Sequence, residues 1–126
     1  MNTDSHKKII LIIQYYDIKH GDDTYKQKRQ SELDYCLHIN CENRFIDEIH
    51  ILTESDIENK YFEQIRQTYK NKIKLQNIGK RLTYKYVFEY TNVCLGDNIY
   101  ILANADIFTN NSLEILQKVK FYNVIF

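Results

Sequence analysis

The run Ile9-Ile10-Leu11-Ile12-Ile13 is apolar at every position. A strand with one wet face alternates apolar and polar residues. A strand without that alternation is buried on both faces, which is the situation inside a parallel sheet covered by helices on either side. The run is also too short for a membrane span, which needs roughly 20 apolar residues, and too short for the apolar region of a secretory leader.

The rest of the chain repeats the change of period that such a sheet requires. Residues 8–14 read as the first strand. A polar stretch, His20-Gly21-Asp22-Asp23-Thr24, separates it from residues 25–40. There Leu33, Cys36, Leu37 and Asn40 fall at helical spacing, with only Asn40 polar. Residues 46–53 read as a second strand. Ser55-Asp56-Ile57-Glu58 has the form of a capping box, opening a helix with Ile57, Tyr61, Ile65 and Tyr69 on one face. Residues 72–78 read as a shorter strand nearer an edge. Residues 82–95 read as a helix bearing Val87, Tyr90 and Cys94, with Gly96 suited to its C-terminal cap. A strand over residues 98–102 follows, then a helix opened by Asn110-Asn111-Ser112 and running through Lys120. Residues 121–126 read as the start of another strand.

Strands alternating with helices imply βαβ units and right-handed crossovers. The expectation is an α/β fold: a mostly parallel sheet with helices on both faces, spatial order 3-2-1-4, and the first strand inside. The absence of proline and a count of only 3 glycines in 126 residues favour long regular elements. One domain suits the length.

Charge narrows the partners. With 17 Lys and Arg against 17 Asp and Glu, the formal net charge is zero. Nucleic acid and anionic membranes are therefore disfavoured as partners drawn by bulk charge. The three cysteines, Cys36, Cys41 and Cys94, form no CxxC pair. The expectation is reduced packing thiols in a cytoplasmic compartment and no zinc site. No G-x-G-x-x-G, Walker A sequence or Ser–His or Cys–His nucleophile arrangement is present. His50 is expected to be a satisfied strand histidine, and His20 and His38 to be exposed.

Ligands of an open α/β sheet bind at the carboxyl ends of its strands. Those ends are Gln14-Tyr15-Tyr16-Asp17, Thr53-Glu54, Gly79-Lys80-Arg81 and Asn104-Ala105-Asp106. If residues 104–106 are extended, Asn104 and Asp106 point the same way. A carboxylate and an amide oxygen so placed suit a hard divalent cation. The competing expectation is a turn in which both residues serve the local backbone.

These pieces, together with Arg29, Glu32 and Cys36-Leu37-His38-Ile39-Asn40, His50 within Ile49–Glu54, Lys80–Tyr84 and Ile101–Phe108, resemble the nucleotide-sugar-binding half of GT-A-type glycosyltransferases. They are similar to the small glycosyltransferase-like proteins of giant viruses and bacteria. The resemblance covers nearly the whole chain. It implies a Rossmann-like, GT-A-like sheet, cut short before the acceptor-binding half. It also implies a transferase-type domain that binds a UDP- or GDP-linked sugar through Mn2+ or Mg2+ and transfers, or helps transfer, a hexose.

Residue by residue, the resemblance implies that Asp106 ligates the metal. Asn104, standing where the family carries an aspartate, would touch the ribose or a metal-bound water. Tyr15 and Tyr16 would hold the base, Glu54 the base or ribose, and Arg81 the diphosphate or base. Asp17 and Arg29 complete the nucleotide-sugar set, and no catalytic residue is assigned. The alternatives are a non-catalytic remnant or virion component that keeps the fold, placed in host cytoplasm or virion if viral, and a flavodoxin-like binding domain. An apolar edge near residues 121–126 carries the expectation of self-association or a covering partner.

Overall fold

The computed structural model describes residues 7–93 and 98–117. Its elements are β1 (Ile9–Ile13), α1 (Asp23–Glu42), β2 (Glu48–Thr53), α2 (Lys60–Thr68), β3 (Ile73–Asn77), α3 (Tyr84–Val93), β4 (Ile99–Ala103) and a 3₁₀ helix, Asn111–Gln117. The four strands form one sheet of order β3-β2-β1-β4, and each neighbouring pair is parallel. The α/β class, the order and the inner position of the first strand all match the sequence expectation.

All five residues of β1 are buried. Their side chains alternate between two cores. Leu11 and Ile13 meet Leu33, Leu37 and Cys41 of α1 and Phe62 and Ile65 of α2. Ile10 and Ile12 meet Val87 of α3 and Leu52 of β2, with Tyr86, Tyr90 and Tyr100 packed around them. Helices therefore cover both faces. The crossover rule accounts for the split: the chain steps one way from β1 through β3 and reverses to reach β4, so α3 lies opposite α1 and α2. Truncating Leu11 or Ile12 to alanine would cost about 2–5 kcal/mol.

Three helices begin away from their expected residues; α3 opens at Tyr84 rather than Leu82, and the shifts of α1 and α2 have visible causes. The first starts earlier, because Asp22 caps it by accepting from the Tyr25 amide at 2.8 Å. Gly21 just before it has φ 101°, and a Cβ there would stand 2.5 Å from the Tyr25 ring, so glycine is required at this turn. The second starts later. Ser55 and Glu58 form no capping box; Asn59 caps α2 by accepting from the Phe62 amide at 2.7 Å. The Glu58 amide is instead held by Asp17 at 2.8 Å, which keeps the preceding segment out of the helix. The buried side of α2 is accordingly Phe62 and Ile65, and Tyr61 is exposed.

Near the end of the described residues, the expected helix from Asn110 is a 3₁₀ helix over Asn111–Gln117. Cys94, the Gly96 cap, the strand over 121–126 and the edge surface near it lie outside the described residues. Cys36 and Cys41 are free and buried, as expected. His50 is buried, with Nδ1 2.6 Å from the Tyr90 hydroxyl and Nε2 2.8 Å from Glu48. His20 is exposed, and His38 is half-buried beside Glu42. No helix among the described residues is long and apolar enough to cross a membrane.

Candidate functional site

Strand order reverses beside β1. The chain leaves β1 toward β2 on one side and returns to β4 on the other. The carboxyl ends of β1 and β4 therefore part around a crevice, which is where open α/β sheets bind ligands. Two adjoining hollows occupy this edge. One, of about 830 Å³, runs from Gln14 and Tyr16 past Arg81–Tyr84 to Leu102–Ile107. The other, of about 670 Å³, runs from the loop after β1 to Thr53 and Glu54. Gln14, Tyr16, Arg29 and Arg81 line both. All eight residues expected at the site line one hollow or the other. Their environments divide them into two groups.

Tyr15 and Asp17 build the site's support. Tyr15 continues the inward alternation of β1 and is only 1% exposed. Its ring stacks on Phe62 at 4.9 Å. Its hydroxyl donates to Asp34 and accepts from Gln30 Nε2 and Asn59 Nδ2, each at 3.1 Å. One donor and two lone pairs are thereby used, so the hydroxyl is committed to the protein interior. Burial above all, and then the Asp34 carboxylate, push the Tyr15 hydroxyl pKa far up. Burial also raises the Asp34 carboxyl. Asp17 is similarly committed, accepting from the Glu58 amide at 2.8 Å and from Asn59 Nδ2 at 2.5 Å.

Gln30 completes the support. Its Nε2 donates to the Tyr16 carbonyl at 3.2 Å, and its Oε1 accepts from the Ile18 amide at 2.8 Å. The loop after β1 is thus pinned to α1 by Gln30 and to α2 by Asp17. Gln30, Asp34 and Asn59 were missed in the sequence reading. The available signal was the i, i+4 spacing of Gln30 and Asp34 next to the buried Leu33 and Leu37.

The second group faces the crevice. Tyr16, the outward neighbour of Tyr15, is 42% exposed. Glu54 and Arg81 are exposed and have no hydrogen bond or ion pair among the described residues. Thr83, which caps α3 by accepting from the Tyr86 amide at 3.1 Å, and Tyr84 extend the wall of the larger hollow. Neither was among the expected site residues.

Asn104 and Asp106 are on this edge as expected, but not in an extended segment. The Ile107 amide donates to the Asn104 carbonyl at 3.1 Å, closing a turn after β4. The same-side argument from i, i+2 alternation therefore does not apply. The turn is set by a clamp further on. Asn40, buried on α1, donates to the Ile107 carbonyl at 3.0 Å and accepts from the Thr109 amide at 2.8 Å. Asn43 adds a hydrogen bond to Thr109 Oγ1 at 2.9 Å and one to the Asn110 carbonyl at 3.1 Å.

Arg29 reaches two carboxylates, Glu32 on its own helix and Asp106 across the crevice. Its Nη1 donates to Glu32 at 2.9 Å and its Nη2 to Asp106 at 3.2 Å. Those hydrogen bonds, Glu32 first, hold the guanidinium firmly charged.

The Asp106 carboxylate that the resemblance gives to a divalent metal is paired with an arginine in this arrangement. Among the described residues no group of three or more His, Cys, Asp or Glu is placed to hold a metal ion. The two cysteines among the described residues are poor nucleophiles. Burial raises the Cys36 thiol and pushes the Cys41 thiol up to about 12. The edge is equipped to bind an anion beside aromatic side chains, with Glu54 as an exposed acceptor. Compared with known protein families, curated proteins and solved structures, the chain matches none of them.

Proposed function

We propose that this edge binds the nucleoside diphosphate of a UDP- or GDP-linked sugar, and that the chain is a donor-binding domain of glycosyltransferase type with a GT-A-like fold. In such a domain the bound sugar is presented for transfer to an acceptor, with the diphosphate as leaving group. The observation that supports this most is the convergence of Tyr16, Arg29, Glu54, Arg81 and Asp106 on the crevice where strand order reverses. An exposed tyrosine offers a face for a base, the arginines offer charge for phosphate, and Glu54 offers an acceptor for ribose or base hydrogens.

The test is a thermal-shift series with UDP- and GDP-hexoses, each with and without Mn2+. At least one sugar nucleotide should raise the melting temperature, and Tyr16→Ala together with Glu54→Gln should abolish the rise. If no sugar nucleotide shifts the melting temperature in either condition, the donor-binding reading is wrong.

A further inference from the structure

The crevice holds two cations in different states. Arg81 is exposed and has no hydrogen bond or ion pair among the described residues, and it lines both hollows. Arg29 also lines both hollows, but each of its terminal nitrogens has a carboxylate. The Glu32 partner lies one turn along α1 and orients the guanidinium. The Asp106 partner is 77 residues away and crosses from α1 to the turn after β4. Its carboxylate is 39% exposed, so the pair is a solvent-accessible one, held weakly enough to exchange.

Resting on the donor-binding reading above, we infer that Arg29 and Arg81 hold the diphosphate without a divalent cation, and that Asp106 is the carboxylate an incoming phosphate displaces from Arg29. A diphosphate carries more charge than Asp106 and offers paired oxygens to a planar guanidinium, so it outcompetes a single exposed carboxylate. The zero net charge of the chain leaves local cations as the means of attracting such a ligand. A metal on Asp106 would instead stand beside the Arg29 guanidinium, with like charges opposed. In this arrangement Asp106 keeps Arg29 aimed across the crevice and gives way on binding.

The experiment is isothermal titration of the full chain with UDP, GDP and inorganic pyrophosphate, in EDTA and in Mn2+. Binding of UDP or GDP in EDTA should equal that in Mn2+ within about twofold. Arg81→Gln, which removes no contact seen in the fold, should weaken binding at least tenfold, as should Arg29→Gln. Asp106→Asn should tighten binding about two- to fivefold, the scale of an exposed ion pair, whereas a metal ligand at that position would make the same change weaken it.

Binding seen only with Mn2+, or a tenfold loss in Asp106→Asn, overturns the inference and leaves the donor-binding reading standing. Pyrophosphate binding that depends on Arg81, without UDP or GDP binding, leaves the arginine site standing and removes the nucleotide. Failure of all three ligands overturns both. Far-UV circular dichroism of each variant confirms that Arg29→Gln and Asp106→Asn are folded, and Arg81→Gln decides the matter if either is not.

Discussion

The side-chain oxygen of Asn40 accepts two hydrogen bonds from Thr109, from its amide at 2.8 Å and from its hydroxyl at 2.7 Å. The residues are 69 positions apart, one inside α1 and the other beyond β4. With the Asn40 amide donating to the Ile107 carbonyl, this one side chain ties the segment carrying Asp106 to the helix carrying Arg29. Because Asn40 is 1% exposed, its loss strands backbone groups that water reaches poorly. Asn40→Ala should therefore lower unfolding free energy by about 2–3 kcal/mol. Urea denaturation measures it, and a change below about 0.5 kcal/mol would show that the clamp contributes nothing.

The Tyr15 hydroxyl joins Asp34, Gln30 and Asn59 under the loop after β1. Tyr15→Phe keeps the stack on Phe62 but removes the hub of the network. The expected cost is about 1–3 kcal/mol. A double-mutant cycle with Asp34→Asn should show a coupling of about 1 kcal/mol, since the two groups share a hydrogen bond. Strict additivity would mean that the pair acts independently.

Glu48 gives a pH signature. The hydrogen bond from His50 chiefly, with Lys8 helping, holds its carboxyl below the usual glutamate range. A carboxyl depressed in the folded state contributes stability above its unfolded value, roughly 4.3, and loses it as pH falls through the folded value. Glu48→Gln should be less stable than the parent by about 1 kcal/mol at pH 7. The gap should close as the pH is lowered below about 4. Melting curves from pH 7 to pH 3 decide this, and a constant gap across that range would contradict it.

Lys72 caps α1 from a distance. That helix has no basic residue in its last turn. The ammonium of Lys72, just before β3, donates to the Cys41 carbonyl at 2.9 Å and to the Asn43 carbonyl at 2.7 Å. These are among the carbonyls a helix end leaves unpaired, where positive charge is favoured. Burial depresses the Lys72 pKa, the cost of desolvating an ammonium at this position. Lys72→Met should cost about 1–3 kcal/mol. It should also speed amide exchange over the last turn of α1 more than over its first, and a uniform change along the helix would argue against the cap.

Much of the fold was legible from residue patterns alone. The unbroken Ile9–Ile13 run required a strand buried on both faces, and that placed β1 inside a parallel sheet. The alternation of periods set the element order. Ten of the twelve residues named at the carboxyl ends of the strands line the two hollows. These features are local or follow from general crossover rules, so a one-dimensional pattern carries them.

The partners of each residue were decided in three dimensions. Ser55 and Glu58 have the spacing of a capping box, but Asp17, 41 residues before Glu58, takes the Glu58 amide, and α2 opens at Asn59. Asn104 and Asp106 have the spacing of paired ligands, but the clamp from Asn40 accompanies a turn, and Arg29 takes the Asp106 carboxylate. Tyr15 and Tyr16 are adjacent in the chain, yet one is locked beneath the site and the other faces it. Sequence determined which chemical groups reach the edge of the sheet, because strand period and helix period specify position along an element. Only the tertiary structure decided which of those groups are spent on each other and which face the crevice. That depends on contacts 41 to 77 residues apart, and no local spacing encodes them.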